Sequence, residues 1–446
     1  MDYGCYDARI NGLSIYSFLR YLIRKEIIAQ YESPILESKT RIKKGSAIIS
    51  AFLSLVHVMR LIVSLKRYPT VFFSFPRVDK IGDSYLDKFT DPLIEVVEDS
   101  KDEYIILDHG RGGEHFTPRL HSNKIVYLDI ISIISRFYSA LFWKKYYNLH
   151  SETFDLLLYS LKNAFGLSLS PKWVVKLFYS SLMYSKGVGR IYNCVRAKRI
   201  IGPARAYMAC PFYAAHLHGL DTFELQHGIS FGETQMYSGY RDPMVMPDFF
   251  LAFGDNKPLD VYGIDETRIV NIGWALNNYV GRLSTGENYR ERDVLVISDP
   301  EITDKIIAAV VQLADNNPDS TFYLRPHPHE IINNSQMSII ASKKNVRIQD
   351  KSINISVVLQ GFNHVIGEDS TVLYEALAVN KKVGKLFICG LESHYLDEAD
   401  QGCFWEIYNQ NDFDAFINGD VSDKKSKCIY SPFNKELFCK TLKLAE

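Results

Sequence analysis

Short apolar runs recur along the chain, and most stop at a glycine, a proline or an aspartate. Thr70–Phe75 (TVFFSF), Glu103–Leu107 (EYIIL) and Lys124–Leu128 (KIVYL) are the first three. Runs of this length, rich in β-branched and aromatic residues, predict buried strands. A helix is expected at Asp91–Glu98, behind a capping Asp91-Pro92. Arg205–Cys210 (RAYMAC), Thr222–Leu225, Asp248–Phe253 (DFFLAF) and Arg268–Ile272 (RIVNI) continue the series as strands, with a helix through Ala214–Leu220. Strands alternating with helical segments predict an α/β fold built on an open, mainly parallel sheet.

The pattern changes character in two places. Residues 1–45 read as helical and mixed in charge, and Asp129–Leu182 as long, helical and rich in Tyr, Phe and Leu, with its aromatics placed in a core. Ala47–Leu65 is apolar apart from Ser50, Ser54, His57, Arg60 and Ser64. His57 and Arg60 would be costly in lipid, so it reads as a buried helix of the first domain. The alternative is a membrane-surface helix, which the flanking Arg41, Lys43, Lys44, Lys66 and Arg67 favour.

Around Val280–Arg292 the sequence turns polar and gains two glycines, as a linker does. A second α/β pattern follows. Strands are expected at Asp293–Ser298, Thr321–Leu324, Val346–Gln349, Asn363–Ile366 and Lys382–Leu386, and helices at Thr303–Asp315, Asp412–Ile417 and Lys435–Leu444. The chain therefore divides into residues 1–284 and 285–446, the last helix packing back on the first domain.

Composition narrows the class. The 446 residues are 47% hydrophobic and 13% aromatic, enough to bury a large core. A formal charge of -1 supplies no global field for nucleic acid. The 7 cysteines are scattered without a C-x-x-C pair, which argues against a disulfide framework and a zinc site and fits a reducing cytoplasm. No N-terminal signal pattern is visible.

The candidate chemistry lies where strands end, which is where ligands of open α/β sheets bind. In TFYLRPHPHE (Thr321–Glu330), Pro326 and Pro328 stop the strand and hold Arg325 and His327 on a stiff loop. In GEDSTVLYEAL (Gly367–Leu377), Asp369, Ser370 or Thr371 caps a helix whose start offers N–H groups and a partial positive charge to phosphate. Together they make a candidate phosphate cradle. The plainer readings are a structural loop histidine and an ordinary N-cap. Asp108 precedes a loop containing Gly110, Gly112 and Gly113, and His227 ends the strand at Thr222–Leu225. Either is a candidate base or acceptor-orienting group, against a turn cap and a hydrogen-bonded histidine as plainer roles. Arg111, Glu114, Gln226 and Gly228 are the neighbouring acceptor-cleft candidates, with Glu233 a further carboxylate. No D-x-D motif or histidine cluster points to a metal.

RPHP (Arg325–Pro328) and EDSTVLYEAL (Glu368–Leu377), behind ELQHG (Glu224–Gly228), resemble bacterial surface-polysaccharide glycosyltransferases of the GT-B type over roughly residues 205–400. Capsule and O-antigen Kdo transferases are the nearest in pattern. Bacterial sialyltransferases and CDP-glycerol glycerophosphotransferases are more distantly similar. The resemblance implies two Rossmann-like doubly wound domains facing a central cleft. It also implies a nucleotide-sugar donor, CMP-Kdo favoured, with no cofactor besides it. His327, Ser370 and Thr371 would meet the phosphate, Arg325 would add charge, and Glu368 would bind cytidine or ribose. The acceptor would be a glycan or lipid-linked glycan, reached in the cytoplasm with peripheral contact at the inner membrane. The acidic-acidic-glycine motif of sialyltransferases is not evident. CMP-sialic acid, CDP-glycerol and UDP- or GDP-sugar donors remain alternatives, as do a nucleotide-sugar epimerase and a non-catalytic nucleotide-sugar-binding assembly protein.

Overall fold

The computed structural model describes residues 4–31, 44–64, 66–75, 78–110, 115–228, 237, 242–254, 263–276, 289–328, 330–392, 402–420 and 430–444. A hairpin of β1 (Arg9–Ile10) and β2 (Leu13–Ser14) leads into α1 (Ile15–Tyr31) and α2 (Lys44–Ser64). A parallel sheet follows, made of β3 (Thr70–Phe73), β6 (Tyr104–Asp108), β7 (Ile125–Tyr127), β8 (Arg199–Pro203), β9 (Asp221–Leu225), β10 (Phe249–Ala252) and β11 (Ile269–Asn271). Their order is β11-β10-β9-β8-β3-β6-β7. The hairpin β4 (Val78–Ile81) and β5 (Ser84–Asp87) springs from the C-terminal end of β3, ahead of α3 (Asp91–Asp99).

A second parallel sheet, in the order β14-β13-β12-β15-β16-β17, holds β12 (Val294–Ile297), β13 (Phe322–Arg325), β14 (Val346–Ile348), β15 (His364–Gly367), β16 (Lys382–Leu386) and β17 (Trp405–Ile407). Its helices are α8 (Thr303–Asn316), α9 (Asn334–Ala341), α10 (Ile355–Gly361), α11 (Thr371–Ala378) and α12 (Gln410–Asn418). Val294 and Val296 pack with α8 on one face, and Leu295 and Ile297 pack with α10 and α11 on the other. Strands covered on both faces read as unbroken apolar runs, which is why they were visible in the sequence.

The long helical segment resolves into α4 (Asp129–Leu149), α5 (Ser151–Phe165) and α6 (Pro171–Val195). Helix α4 lies close along α6. A Cβ on Gly187 would sit 2.5 Å from Ile131 Cγ2, and Ser135 and Ser139 are the buried residues of α4. The expectation that this segment's aromatics are core holds for Phe154 and Phe178 and fails for Phe137, Tyr138, Phe142 and Tyr159, which are exposed.

Other expectations also need correcting. Arg205–Cys210 is not a strand. It opens α7 (Arg205–Leu217), and the strand is Arg199–Pro203, just before it. RAYMAC contains good helix formers, and the left-handed Ala204 (φ 63°) turns the chain from one element into the other. The cap of α3 is Thr90, with Asp91 inside the first turn. Helix α2 does exist, but only Ser50, Ser54 and Leu61 are buried among its described side chains, so it is not a core helix. The linker boundary at 284 falls outside the described residues.

After the second sheet the chain returns to the first. Trp274 N donates to Ser431 O (2.9 Å) and Asn434 N to Ile272 O (2.8 Å). Gly273, at φ +77°, permits this: a Cβ there would lie 2.2 Å from Pro432 O. Helix α13 (Lys435–Leu442) then seats Phe438 and Leu442 in the core of the first sheet, with Ile94, Phe223 and Trp274. Phe438 is fully buried. F438A is expected to cost about 3–5 kcal/mol in urea unfolding followed by tryptophan fluorescence, with the loss in the transition of the first domain.

Candidate functional site

The register of the second sheet sets the geometry of the proposed cradle. Ile297 pairs with Arg325 of β13 on one side, and Val296 pairs with Ile366 of β15 on the other. Arg325 and Gly367 therefore flank the end of β12, two strand spacings or roughly 10 Å apart. The loops that follow, carrying His327 and Ser370, leave the same edge of the sheet. Gly367 is needed at this edge, because a Cβ would stand 3.1 Å from Ile297 O.

Glu330, absent from the expected site residues, shapes the histidine–proline loop. Its buried carboxylate accepts hydrogen bonds from Ser298 Oγ, Thr303 Oγ1 and the His327 backbone N–H, each at 2.7 Å. Lys351 Nζ donates to the Glu330 carbonyl at 2.8 Å. The end of β12, the start of α8 and the loop are thus tied to one carboxylate, while the His327 side chain is exposed. The sequence signal was an acid three residues beyond a proline-flanked histidine, the spacing of a reciprocal turn.

Arg325 does not join the cradle. Its guanidinium is buried and donates to the carbonyls of Asp350 (2.5 Å), Lys351 (3.3 Å) and Ile353 (2.5 Å). Burial lowers its pKa. The charge expected at a phosphate instead clamps the loop after β14.

Ser370 is the residue that caps α11, its Oγ accepting from Val372 N at 3.3 Å. Asp369 instead faces Lys385 at 3.4 Å, and Lys385 is almost wholly buried under the loop. Thr371 is exposed at the first turn. Glu368 is half-buried and accepts from Glu392 N at 3.2 Å, which links it to the loop after β16.

In the first sheet, Asp108 ends β6 and His227 follows β9. With β3 and β8 between those strands, the two are three spacings or roughly 14 Å apart, too far to act on one proton. Asp108 accepts from Ser74 and His115 and lies 3.5 Å from Arg119. Its pKa is lowered; burial opposes ionisation, and the His115 hydrogen bond and Arg119 charge overcome it. A carboxylate so engaged is a weak base, and Asp108 anchors this end of the sheet. His115, just beyond the glycine-containing loop, is held between Asp108 and Asp129, the latter at 2.8 Å, and stacks on Tyr127. Although burial opposes its charge, the two carboxylates raise its pKa to about 9. Arg111, Glu114 and Glu233 lie outside the described residues.

His227 sits in a different setting. Tyr237 Oη lies 2.7 Å from His227 Nδ1 and accepts from the His227 N–H at 3.2 Å, so one tyrosine fixes the ring. Gln226 is buried and structural: its Oε1 accepts from Phe253 N (2.8 Å) and its Nε2 donates to Gly228 O (2.9 Å). No neighbouring atom would crowd a Cβ at Gly228. Ring contacts run from His227 through Phe75 and Tyr207 to His109. His109 and Tyr207 line a cavity under α1, α4, α6 and α7, together with Arg136 and Ser181. Burial lowers the His109 pKa to about 4, so at neutral pH it is an uncharged partner of Tyr184. Nothing in the sequence marked this cavity, because its walls come from four separated helices.

The two sheet edges meet. Lys88, beyond the β4–β5 hairpin, pairs with Glu375 of α11 at 2.8 Å. Among the described residues no group of three or more His, Cys, Asp or Glu could hold a metal ion.

Two parallel-sheet Rossmann-like domains with their strand ends opposed define the GT-B fold. No family model matches this chain, and no curated protein matches it. Solved structures do. The UDP-GlcNAc 2-epimerase of Methanocaldococcus jannaschii superposes with a TM-score of 0.53 at 8% identity, covering 84% of this chain and 99% of that one. The UDP-GlcNAc 2-epimerase of Neisseria meningitidis bound to UDP-GlcNAc gives 0.53 at 10% identity, covering 84% and 98%. At these identities the likeness is one of fold.

The geometry sets two expectations. His115 has a folded pKa above its ordinary 6.5, so its stabilisation is complete below pH 6.5 and is lost as pH rises through about 9. Between those values the melting temperature of the wild type is expected to fall toward that of H115N, and the gap closes by pH 10 in a differential scanning series. E330A strands three donors and is expected to cost roughly 3 kcal/mol in urea unfolding, with faster amide exchange at residues 327–330.

Proposed function

We propose that this chain is a glycosyltransferase that moves a sugar from a nucleotide donor, CMP-Kdo in the favoured form, onto a bacterial surface glycan such as capsule, O-antigen or lipooligosaccharide. The observation that carries the reading is the pairing of two loops across the end of β12: the Glu330-fixed His327 loop and the Ser370-capped start of α11. An imidazole and a helix N-terminus on one sheet edge suit a leaving phosphate. The opposite edge supplies an acceptor side, with His227 fixed by Tyr237 and the cavity at His109 and Tyr207 beyond it.

In this reaction the acceptor oxygen bonds to the anomeric carbon as the bond from that carbon to the phosphate oxygen breaks. The electron pair leaves with the nucleotide, and its charge is met by His327 and the backbone N–H groups beside Ser370 and Thr371. The acceptor proton passes to His227. Glu368, at the rim of the same edge, contacts the nucleoside. The reading needs no metal, because a histidine and a helix terminus answer the charge of a single phosphate. The work is cytoplasmic and at the inner-membrane surface.

A second reading is a nucleotide-sugar epimerase. The extent of the fold likeness to the UDP-GlcNAc 2-epimerases favours it. It needs a UDP-sugar and no acceptor.

A thermal-shift titration with CMP, CDP, UDP and GDP, repeated on H327A, separates the readings. A ligand about a hundredfold above its Kd stabilises the fold by about 2.7 kcal/mol, a rise of a few degrees. Stabilisation by CMP, lost in H327A, is expected. A response to UDP alone would overturn the CMP donor and turn the test to epimerisation of a UDP-sugar without acceptor. No response to any nucleotide would overturn the donor site and leave a non-catalytic shell.

A further inference from the structure

Two neighbouring helices of the first domain are inside out. On α2 the polar face is buried: Ser54 is 0% exposed and Ser50 4%. Ser54 Oγ donates to Tyr127 O (2.6 Å) and accepts from Ile130 N (3.1 Å), Ser50 Oγ lies 2.9 Å from His115 Nε2, and His57 Nδ1 accepts from Tyr127 N (3.3 Å). Ser50, Ser54, His57 and Leu61 recur at helical spacing, so this stripe is the packed face. The opposite stripe is apolar and uncovered, with Ile48 71% exposed, Phe52 65%, Met59 52% and Val63 74%.

Helix α4 repeats the inversion. Ser135 and Ser139 are buried, while Ile133, Phe137 (61% exposed), Leu141 (58%) and Phe142 face outward. The Ser54–Ile130 hydrogen bond joins the two helices directly. A soluble monomer rarely leaves such a surface bare, because apolar area in water carries a cost that burial would remove.

Charge identifies the cover. From Lys43 to Arg67, and from Ile130 to Leu149, there is no aspartate or glutamate. Asp129, at the start of α4, is already held by His115. The exposed charges on and beside the two faces are Arg60, Lys66, Arg67, Arg136, Lys144 and Lys145, all basic. Apolar side chains with an acid-free basic fringe fit the headgroup boundary of an anionic bilayer. No described helix is long and apolar enough to cross a membrane, so the contact lies along the surface.

We propose that the outward faces of α2 and α4 dock this protein on an anionic lipid surface. This goes beyond the donor chemistry and does not depend on it.

The test is co-sedimentation of the full chain with phosphatidylglycerol–phosphatidylethanolamine vesicles, against phosphatidylcholine vesicles and against high salt. Binding to the anionic vesicles is expected, weakened by salt and by neutral lipid, and at least about tenfold lower for F52E/I62E and F137E/L141E. Should the apolar variants fail to fold, K66E/R67E, which changes exposed charges only, is expected to show the same loss. Absence of binding to anionic vesicles, or binding unchanged in folded variants, would overturn the proposal. So would a solution dimer, seen by light scattering, that the same variants dissociate, for the face would then belong to a second copy. The nucleotide thermal shift is measured without lipid, so failure of the donor reading and failure of this one are seen separately.

Discussion

A strand followed by a parallel neighbour must be joined to it by a crossover, and that requirement governs the molecule. Each crossover returns the chain to the opposite edge of the sheet, so the turns that leave strand ends all gather on one side. His327, Glu368 and Ser370 gather on one sheet, and Asp108, Gln226 and His227 on the other, for the same topological reason. The Lys88–Glu375 pair then sets the two gathered edges against each other. Chemistry-bearing residues need no special folding device here. They occupy loops at the strand ends, where backbone is free of the sheet.

The gathered edges still need polar groups under them, and these are treated differently in the two domains. In the first, Asp91, Asp108 and Arg119, which are buried, and His115 and Asp129, which are half-buried, form a connected set in which no charge stands alone. In the second, single charged side chains act as staples: Glu330 gathers three donors, Arg325 gathers three carbonyls, and Lys382 Nζ closes the end of α12 through Ile417 O (3.0 Å) and Gly419 O (2.5 Å). Each serves the cost of burying a charge by surrounding it with complementary atoms. The effect is rigidity in the loops, obtained without secondary structure in them.

The strands were legible because their burial on both faces leaves an apolar run that no other local structure produces as plainly. The run at Ile200–Ile201 is short and follows Lys198-Arg199, so it carries a weaker strand signal than the equally apolar RAYMAC beyond it. Side-chain direction was not legible at all. Arg325 and His327 stand two residues apart on one loop, yet one turns inward to backbone carbonyls and the other faces solvent. Glu330 and His115 were in view but unassigned, since their roles depend on partners far along the chain. The apolar stretch at residues 47–65 illustrates the same limit. Hydropathy reports what a helix contains, and only packing decides which stripe of it turns inward.

The crossing between the domains has a further property. The chain leaves the first sheet at Gly273-Trp274 and comes back at Ser431-Pro432, and the two crossings are hydrogen-bonded side by side. Seen this way, the second sheet with its helices is a closed loop hung from a single knot, with α13 driven like a nail into the body it returns to. The covalent path into and out of the second domain therefore passes beside one point, and α13 stays with the first domain. The second domain has no independent end by which to be drawn away, because the chain enters and leaves it beside one stapled point.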